Sequence, residues 1–474
     1  MIESYIEKDI MRQIKLMEYL LELKRIRIQT IADLLGVAKI TVRRDAEKLL
    51  YMQPEMKVLF EDNNTLEVCF SESITRYDLV KRLYNQSYFL RICAYYLLGE
   101  TNYLKIARKE HISTSKVFKL KKKVEKFFIA IGIMDESRKF LEDELRKRMI
   151  VLSIWMRTDT FNDKLDYRLF GEAKYIVKNF MNVFSNTLSK REQHFFRLAI
   201  YLSLKRQDKN VNITEQNPYM EKGFMYPKIK EILADYNLND NEIKYIAMMY
   251  RLLNQNPNNY RHLVIDYESQ RKILISDIPE LKELVHMFEI YFNCELSKDI
   301  MFEKPFLRFI ISTYLERQMF LVEKHYFLSD QQRSLCSKVE EVMLEWNNKH
   351  SFNIQLSKQT TEKFCVQVSE LLLHNRSKNW NIFIVAENEY SHIAYREWIE
   401  RKLNTEHIIV DSTLYYSIEE LPVYINVMSS LIICERILMN NIHKNIRDSK
   451  TFPVSLSSVN KDLQYFFEYI FHLQ

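Results

Sequence analysis

Gln29-Thr-Ile-Ala-Asp-Leu-Leu-Gly-Val-Ala-Lys-Ile-Thr-Val-Arg-Arg-Asp-Ala-Glu-Lys-Leu-Leu50 sets a small residue, Ala32, ahead of Val37, Val42 and Leu49. The same offsets recur in Tyr103-Leu-Lys-Ile-Ala-Arg-Lys-Glu-His-Ile-Ser-Thr-Ser-Lys-Val-Phe-Lys-Leu-Lys-Lys-Lys-Val-Glu-Lys126, where Ala107 precedes Ile112, Val117 and Val124. The spacing has a physical reason. A small residue lets two short helices cross closely, the next apolar residue seals the corner, and the later pair packs the second helix down. Two copies at identical offsets predict tandem helix-turn-helix units, with double-stranded DNA as the partner.

The two predicted recognition helices differ in chemistry. In the second, Val117, Leu120 and Val124 form the inward stripe, while Lys116, Lys119, Lys123 and Lys126 recur on another face with Ser115, Lys121 and Lys122 alongside. Ser113 or Thr114 is placed to cap its first free amides. Lysine suits phosphate as a point charge, whereas arginine is the better bidentate reader of guanine, so this helix is expected to supply affinity more than sequence choice. In the first, Thr41, Arg44 and Lys48 share the outer face with Arg43 beside them, and Val42, Ala46 and Leu49 face inward. Here arginine can read base edges. Ala38 stands where a capping hydroxyl is usual, at a cost of about 1 kcal/mol of helix stability.

The charge distribution agrees with this reading. The net charge is +6, but residues 1–150 hold 29 Lys and Arg against 22 Asp and Glu, leaving 40 against 41 for the remainder. The basic excess therefore belongs to the segment that carries both motifs. The chain has 474 residues, 47% apolar and 28% charged, with only 5 Gly and 8 Pro. Such a length implies roughly three to five domains, and scarce breakers favour a mostly helical protein. No apolar run of about 18 residues and no leader peptide is evident, so a cytoplasmic protein with no membrane partner is expected. The six cysteines, Cys69, Cys93, Cys294, Cys336, Cys365 and Cys434, form no C-x-x-C pair and read as isolated thiols in a reducing compartment.

Outward from the first motif, Asp9 to about Lys24 reads as a helix with Ile10, Ile14, Met17, Leu20 and Leu21 on one face. Lys57–Phe70 reads as two β runs around Asp62-Asn-Asn64, a wing. Residues 1–72 are thus a winged helix-turn-helix, and 73–160 a second such unit whose wing, near Gly132–Phe140, is weakly marked. From about residue 155 to 378 helix follows helix, with loops at Asp208–Pro218 and Asn254–Asn259 and a seam at Ser276-Asp-Ile-Pro279. That seam divides the region into 161–276 and 277–378. In the tail, 379–474, Trp380–Ala386, His407–Asp411 and Ser430–Cys434 read as strands, with helices at Ser391–Leu403 and just before Ser430. This is a small α/β domain with a parallel sheet.

With these features together, the chain resembles the Mga/AtxA family of virulence and global transcription regulators of Gram-positive bacteria. The resemblance implies tandem winged helices, two helical PTS-regulation domains (PRDs), a carboxy-terminal domain similar to the EIIB component of sugar phosphotransferase systems, a homodimer, and phosphotransferase-system phosphocarriers as partners. In PRDs a run resembling Glu-Ile-x-Tyr-Ile-Ala-x-His carries a phosphorylatable histidine. Here Glu242-Ile-Lys-Tyr-Ile-Ala-Met-Met249 has Met249 at that place, and a thioether cannot take a phosphoryl group. Leu188-Ser-Lys-Arg-Glu-Gln-His194 offers His194 as the phosphoacceptor in the first PRD; His286 and His325 are weaker candidates in the second. EIIB carriers place a Cys or His just after the first strand. Val385-Ala-Glu-Asn-Glu-Tyr-Ser-His392 has no Cys, no Gly and two carboxylates that oppose a phosphoryl anion, so a non-catalytic domain is expected.

No Gly-rich phosphate loop, dinucleotide motif or metal-ligand cluster stands out, and neither enzymatic activity, a cofactor nor a metal is expected. The alternatives are an RNA-binding antiterminator, which shares PRDs but begins with a small β-rich domain, and a phosphotransferase-system phosphocarrier.

Overall fold

The computed structural model describes residues 2–53, 56–61, 64–71, 74–213, 225–254, 256–257, 260–313, 324–352, 354–373, 380–402, 408–422, 425, 430–441 and 450–471. The chain is mostly helical and divides into two compact units, Met1–Ser369 and Glu370–Gln474. No described helix is long and apolar enough to cross a membrane.

The first unit opens with α1 (Lys8–Leu23), which buries Ile10, Ile14, Met17 and Leu20 as the 3.6-residue period requires, and Leu16 with them. After β1 (Arg25–Arg27) come α2 (Ile28–Leu35), α3 (Lys39–Met52), β2 (Met56–Glu61) and β3 (Thr65–Phe70). The hairpin pairs Met56 with Phe70 through Glu61 with Thr65; Asp62 and Asn63, at the expected wing tip, lie outside the described residues. The sequence reading missed β1, which pairs with β3 and makes the sheet three-stranded. Three residues with one buried side chain, Ile26, give too little alternation to signal a strand.

The second motif follows on α4 (Arg76–Tyr84), α5 (Tyr88–Leu97), α6 (Tyr103–Glu110) and α7 (Thr114–Ala130). Thr75 and Asp78 close a reciprocal capping box at the start of α4. The second wing is reduced to a single antiparallel bridge, Met134 to Phe140, entered through Gly132 at φ +68°. Then α8 (Glu144–Trp155) leads into the helical region, which begins with α9 (Tyr167–Val183) and α10 (Lys190–Lys205).

Further helices span Met225–Leu233, Asp240–Arg251, Tyr260–Arg271, Pro279–Phe292, Ile300–Thr313, Asp330–His350 and Lys358–Leu373. Of the two expected loops, 208–213 and Asn254 are described and non-helical; 214–218, 255 and 258–259 lie outside the described residues. Asn256–Pro257 is a short strand, β5, paired with β4 (Asn186–Thr187). At the expected seam, a π-helical turn over Lys272–Ser276 ends the preceding helix, and Pro279 opens the next at its first position, where a missing N–H costs nothing.

A buried clamp fixes α8 against this region. The Arg148 guanidinium donates to both oxygens of Glu242 at 2.7 and 2.8 Å and to the Arg206 carbonyl at 3.0 Å, and the Ser203 hydroxyl donates to Glu242 at 2.5 Å. Arg206 in turn holds Glu144 at 2.6 and 2.7 Å. Glu242 therefore opens its sequence motif as the acceptor of a structural ion pair. Met249, at the motif's other end, is wholly buried.

In the carboxy-terminal unit, β6 (Trp380–Val385), β7 (Ile408–Val410), β8 (Ser430–Glu435) and β9 (Lys450–Val454) form a parallel sheet in the order β7-β6-β8-β9. Ile382, Ile384, Leu431 and Ile433 face the helices Glu389–Lys402 and Val459–Phe471, while Phe383, Val385, Ile432 and Cys434 face Tyr415, Ile418 and Ile425. Burial on both faces is why these strands read as unbroken apolar runs. Of the helix expected just before Ser430, residues 423–424 and 426–429 lie outside the described residues; Ile418–Glu420 is a 3₁₀ turn. The sequence reading also missed β9, whose Pro453 argues against a strand; at the sheet edge a missing donor is tolerated.

Breaking the α8 clamp tests its weight. Arg148→Met strands a buried carboxylate and is expected to destabilise the chain by about 3 kcal/mol, whereas Arg148→Met with Glu242→Gln should recover part of that loss, as read by urea unfolding.

Candidate nucleic-acid interface

In the first motif Gly36 ends α2 in the left-handed conformation, φ +63°, and the Val37 amide donates to the Ala32 carbonyl at 2.9 Å. In the second, His111 ends α6 at φ +52°, and the Ile112 amide donates to the Ala107 carbonyl at 3.2 Å. The repeat read from sequence is thus the same turn, closed by the same hydrogen bond. Ala32, Val42 and Leu49 are buried in one, as are Ala107, Val117 and Val124 in the other; the corner residues Val37 and Ile112 are half-buried. Ser113 caps α7 by accepting from the Lys116 amide, and α3 starts at Ala38 without a side-chain cap.

On α3, Arg44 and Lys48 are exposed and Thr41 and Arg43 half-buried. The same face carries two residues outside the predicted set, Ile40 at 55% and Tyr51 at 92% exposure, one turn before Arg44 and two turns after it. Exposed apolar groups beside cations suit contact with thymine methyls and sugar edges. Their signal was the period itself: positions 40, 44, 48 and 51 share one helix face.

Asp45, within the Thr-Val-Arg-Arg-Asp run, points the opposite way. It is buried and accepts from Arg12 Nε at 2.5 Å and Nη2 at 3.3 Å, and from the Gln13 amide at 3.1 Å, so it bolts the recognition helix to α1. Sequence reasoning assigned it nothing, because its partners lie 32 and 33 positions away.

On α7, Ser115, Lys119, Lys122 and Lys126 are exposed, a stripe at i, i+4, i+7 and i+11. Lys116 is also exposed, but its ammonium lies 4.0 Å from the Tyr88 ring centroid. Lys123 leans toward Phe89 and is half-buried, Lys121 pairs with Glu125 at 3.7 Å, and Leu120 is half-buried rather than enclosed. The outward lysine row is therefore centred on 119, 122 and 126. Arg44, Lys48, Lys119, Lys122 and Lys126 form no ion pair with any described carboxylate. Such uncompensated cations on two exposed helices are what phosphate contact requires.

The candidate phosphoacceptors fall in three different settings. His286 is exposed, with Nδ1 3.3 Å from Glu289. His194 lies on α10 beside a cavity, its ring 6.0 Å from that of Tyr77; burial, with the nearby Lys81 and Arg197 cations, pushes it down to about 4 and keeps it neutral. His325 sits in the fold as a structural link. It is buried, with Nδ1 2.5 Å from Glu18 and Nε2 3.1 Å from Glu3, so neither nitrogen offers a lone pair to a phosphoryl group. Burial opposes its charge, but the bonds to Glu18 and Glu3 prevail and raise it to about 9.

The cysteines are free thiols, three of them buried.

Two expectations follow. His325 titrates near 6.5 when unfolded and near 9 in the fold, so its contribution is complete below about pH 6.5 and disappears as pH rises through about 9. The unfolding free energy of the full chain, read by urea titration, should fall across that window by an amount on the order of 2–3 kcal/mol, and His325→Gln should flatten the dependence. Asp45→Ala should destabilise the protein by roughly 2 kcal/mol, and a double-mutant cycle with Arg12→Ala should show the two residues coupled.

Residues 12–53, from the first turns of α1 to the end of α3, match the DeoR-like helix-turn-helix domain. No curated protein matches the chain. An amino-terminal helix-turn-helix domain of this kind supports a DNA-binding regulator of transcription.

Proposed function

We propose that the protein is a transcription regulator of the Mga/AtxA type that grips duplex DNA with both helix-turn-helix units. The observation that carries this reading is the duplicated turn, Val37 to Ala32 and Ile112 to Ala107, each followed by a helix with unpaired cations outward. The division of labour follows from the side chains. Arg44, with Ile40 and Tyr51 flanking, reads base edges, and Lys119, Lys122 and Lys126 hold phosphates.

In this reading residues 161–276 and 277–378 act as PRDs, with His194 and the exposed His286 as phosphoacceptors for phosphotransferase-system carriers. The tail, 379–474, acts as a non-catalytic EIIB-like domain that assists homodimer formation. The turn after β6 supports the absence of phosphocarrier chemistry: the Glu387 amide, where a phosphoryl group would be cradled, donates to the Glu435 carboxylate at 2.7 Å. His392 lies buried within the following helix.

Gel-shift titration of the full chain at two salt concentrations tests the proposal. With six to ten phosphates neutralised, affinity should fall about a thousandfold or more between roughly 50 and 200 mM salt. Replacing Lys119, Lys122 and Lys126 with Ala should weaken all duplexes alike, whereas Arg44→Ala should weaken preferred sequences by about tenfold more than random ones. Equal loss on every duplex for Arg44→Ala overturns the division of labour. Tighter binding to the same sequence as RNA than as DNA would favour the antiterminator.

A further inference from the structure

Three helices of the first unit wall an open cavity of about 710 Å³: α4 supplies Lys81, α9 supplies Lys174 and Lys178, and α10 supplies Lys190, His194 and Arg197. We propose that this cavity reversibly binds an organic phosphate, its charged head held by the cations and its carbon body against the apolar wall.

The charge count decides the ligand class. Lys190 pairs with Asp78 at 2.9 Å and Lys81 with Asp159 at 2.7 Å. Lys174, Lys178 and Arg197 form no ion pair with a described carboxylate, which leaves three positive charges facing one space. Arg197 is held in place there: its Nε donates to the Phe170 carbonyl at 3.0 Å, and its guanidinium lies 3.4 Å from the Phe170 ring centroid. Burial weakens the charged form of Arg197, the condition that a bound anion relieves. A monocarboxylate would leave two of the three charges uncompensated. A phosphate monoester, with a charge near −2 and three acceptor oxygens, balances them far better.

His194 adds a polar partner of a different kind. Its Nε2 is buried with no hydrogen-bond partner. Because burial, aided by the surrounding cations, keeps the ring neutral, it can offer one N–H to an oxygen without adding charge. The volume exceeds what a bare phosphate fills, and Tyr175 and Met181 line the remainder, so the occupant carries a carbon skeleton. No covalent bond forms. The proposal also stands apart from the DNA-binding reading, since neither recognition helix contributes to the cavity.

Isothermal titration calorimetry on the full chain, without DNA, tests it with three probes: glucose 6-phosphate, AMP and inorganic phosphate. At least one ester should bind saturably and at least about tenfold more tightly than inorganic phosphate. Lys174→Glu with Lys178→Glu, both on exposed positions, should abolish that binding, and Lys174→Arg with Lys178→Arg should preserve it. Lys119→Glu, on α7, should leave it intact. The proposal is overturned if no ester binds, if inorganic phosphate binds equally well, or if binding is lost in Lys119→Glu and retained in the Lys174/Lys178 charge reversal. That last result would place the phosphate on the lysine helix. Failure of the gel-shift with success here would remove the DNA reading alone.

Discussion

Glu18 is the joint on which the first unit turns. It is fully buried on α1, and a carboxylate there is tolerable only because Arg76 donates to one oxygen while the His325 backbone amide, at 2.8 Å, and Nδ1, at 2.5 Å, meet the other. Arg76 opens the first helix of the second helix-turn-helix motif, and His325 belongs to the helical region. One side chain therefore ties three parts of the chain together. Around it, Glu3 accepts from Gln359 as well as His325, and Lys324 pairs with Glu22 at 2.7 Å. Removing any one partner leaves a charge in low dielectric, so the cluster tolerates a single arrangement.

The same helix holds the DNA-reading surface. Arg12 and Gln13 grip Asp45 of α3, and Glu18 and Glu22 lie one to three turns further along α1. A helix is stiff over that span of about 15 Å. The angle at which α3 is presented is consequently fixed by the same element that docks on the helical region. The second helix-turn-helix motif is anchored to the helical region by different contacts: Arg148 of α8 to Glu242, and Asp78 of α4 to Lys190. Neither recognition helix hangs on a flexible linker.

What the sequence made legible follows from range. The helix period, the wing hairpin and the repeated turn depend on residues within about 15 positions of one another, and each was readable from spacing. The joints were not. Glu18 and His325 are 307 residues apart, Arg148 and Glu242 are 94 apart, and no local pattern links them. This is also why His325 read as a candidate acceptor: an isolated histidine gives no hint that two distant carboxylates enclose it. Strands β1 and β9 escaped for a separate reason, the first too short and the second carrying Pro453 at an edge. Lys123 shows a finer limit. Helical spacing placed it in the lysine row, but Phe89 of α5 draws its stem inward.

The two recognition helices make sense as unequal partners. On the proposed reading α7, 17 residues with an outward face of lysine and serine, would neutralise phosphates with little demand on sequence. α3 is shorter and mixed, with Arg44 and Lys48 between an exposed Ile40 and Tyr51, and apolar contact there has value only where a base edge or methyl complements it. On the same reading, a strong, undiscriminating grip would let a weaker, selective helix sample sequence while the protein stays on the duplex. The buried ion pairs to the helical region stop one element short of each helix: Asp45 ties α3 to α1, which Glu18 links to His325, and Arg148 ties α8, the helix after α7, to Glu242.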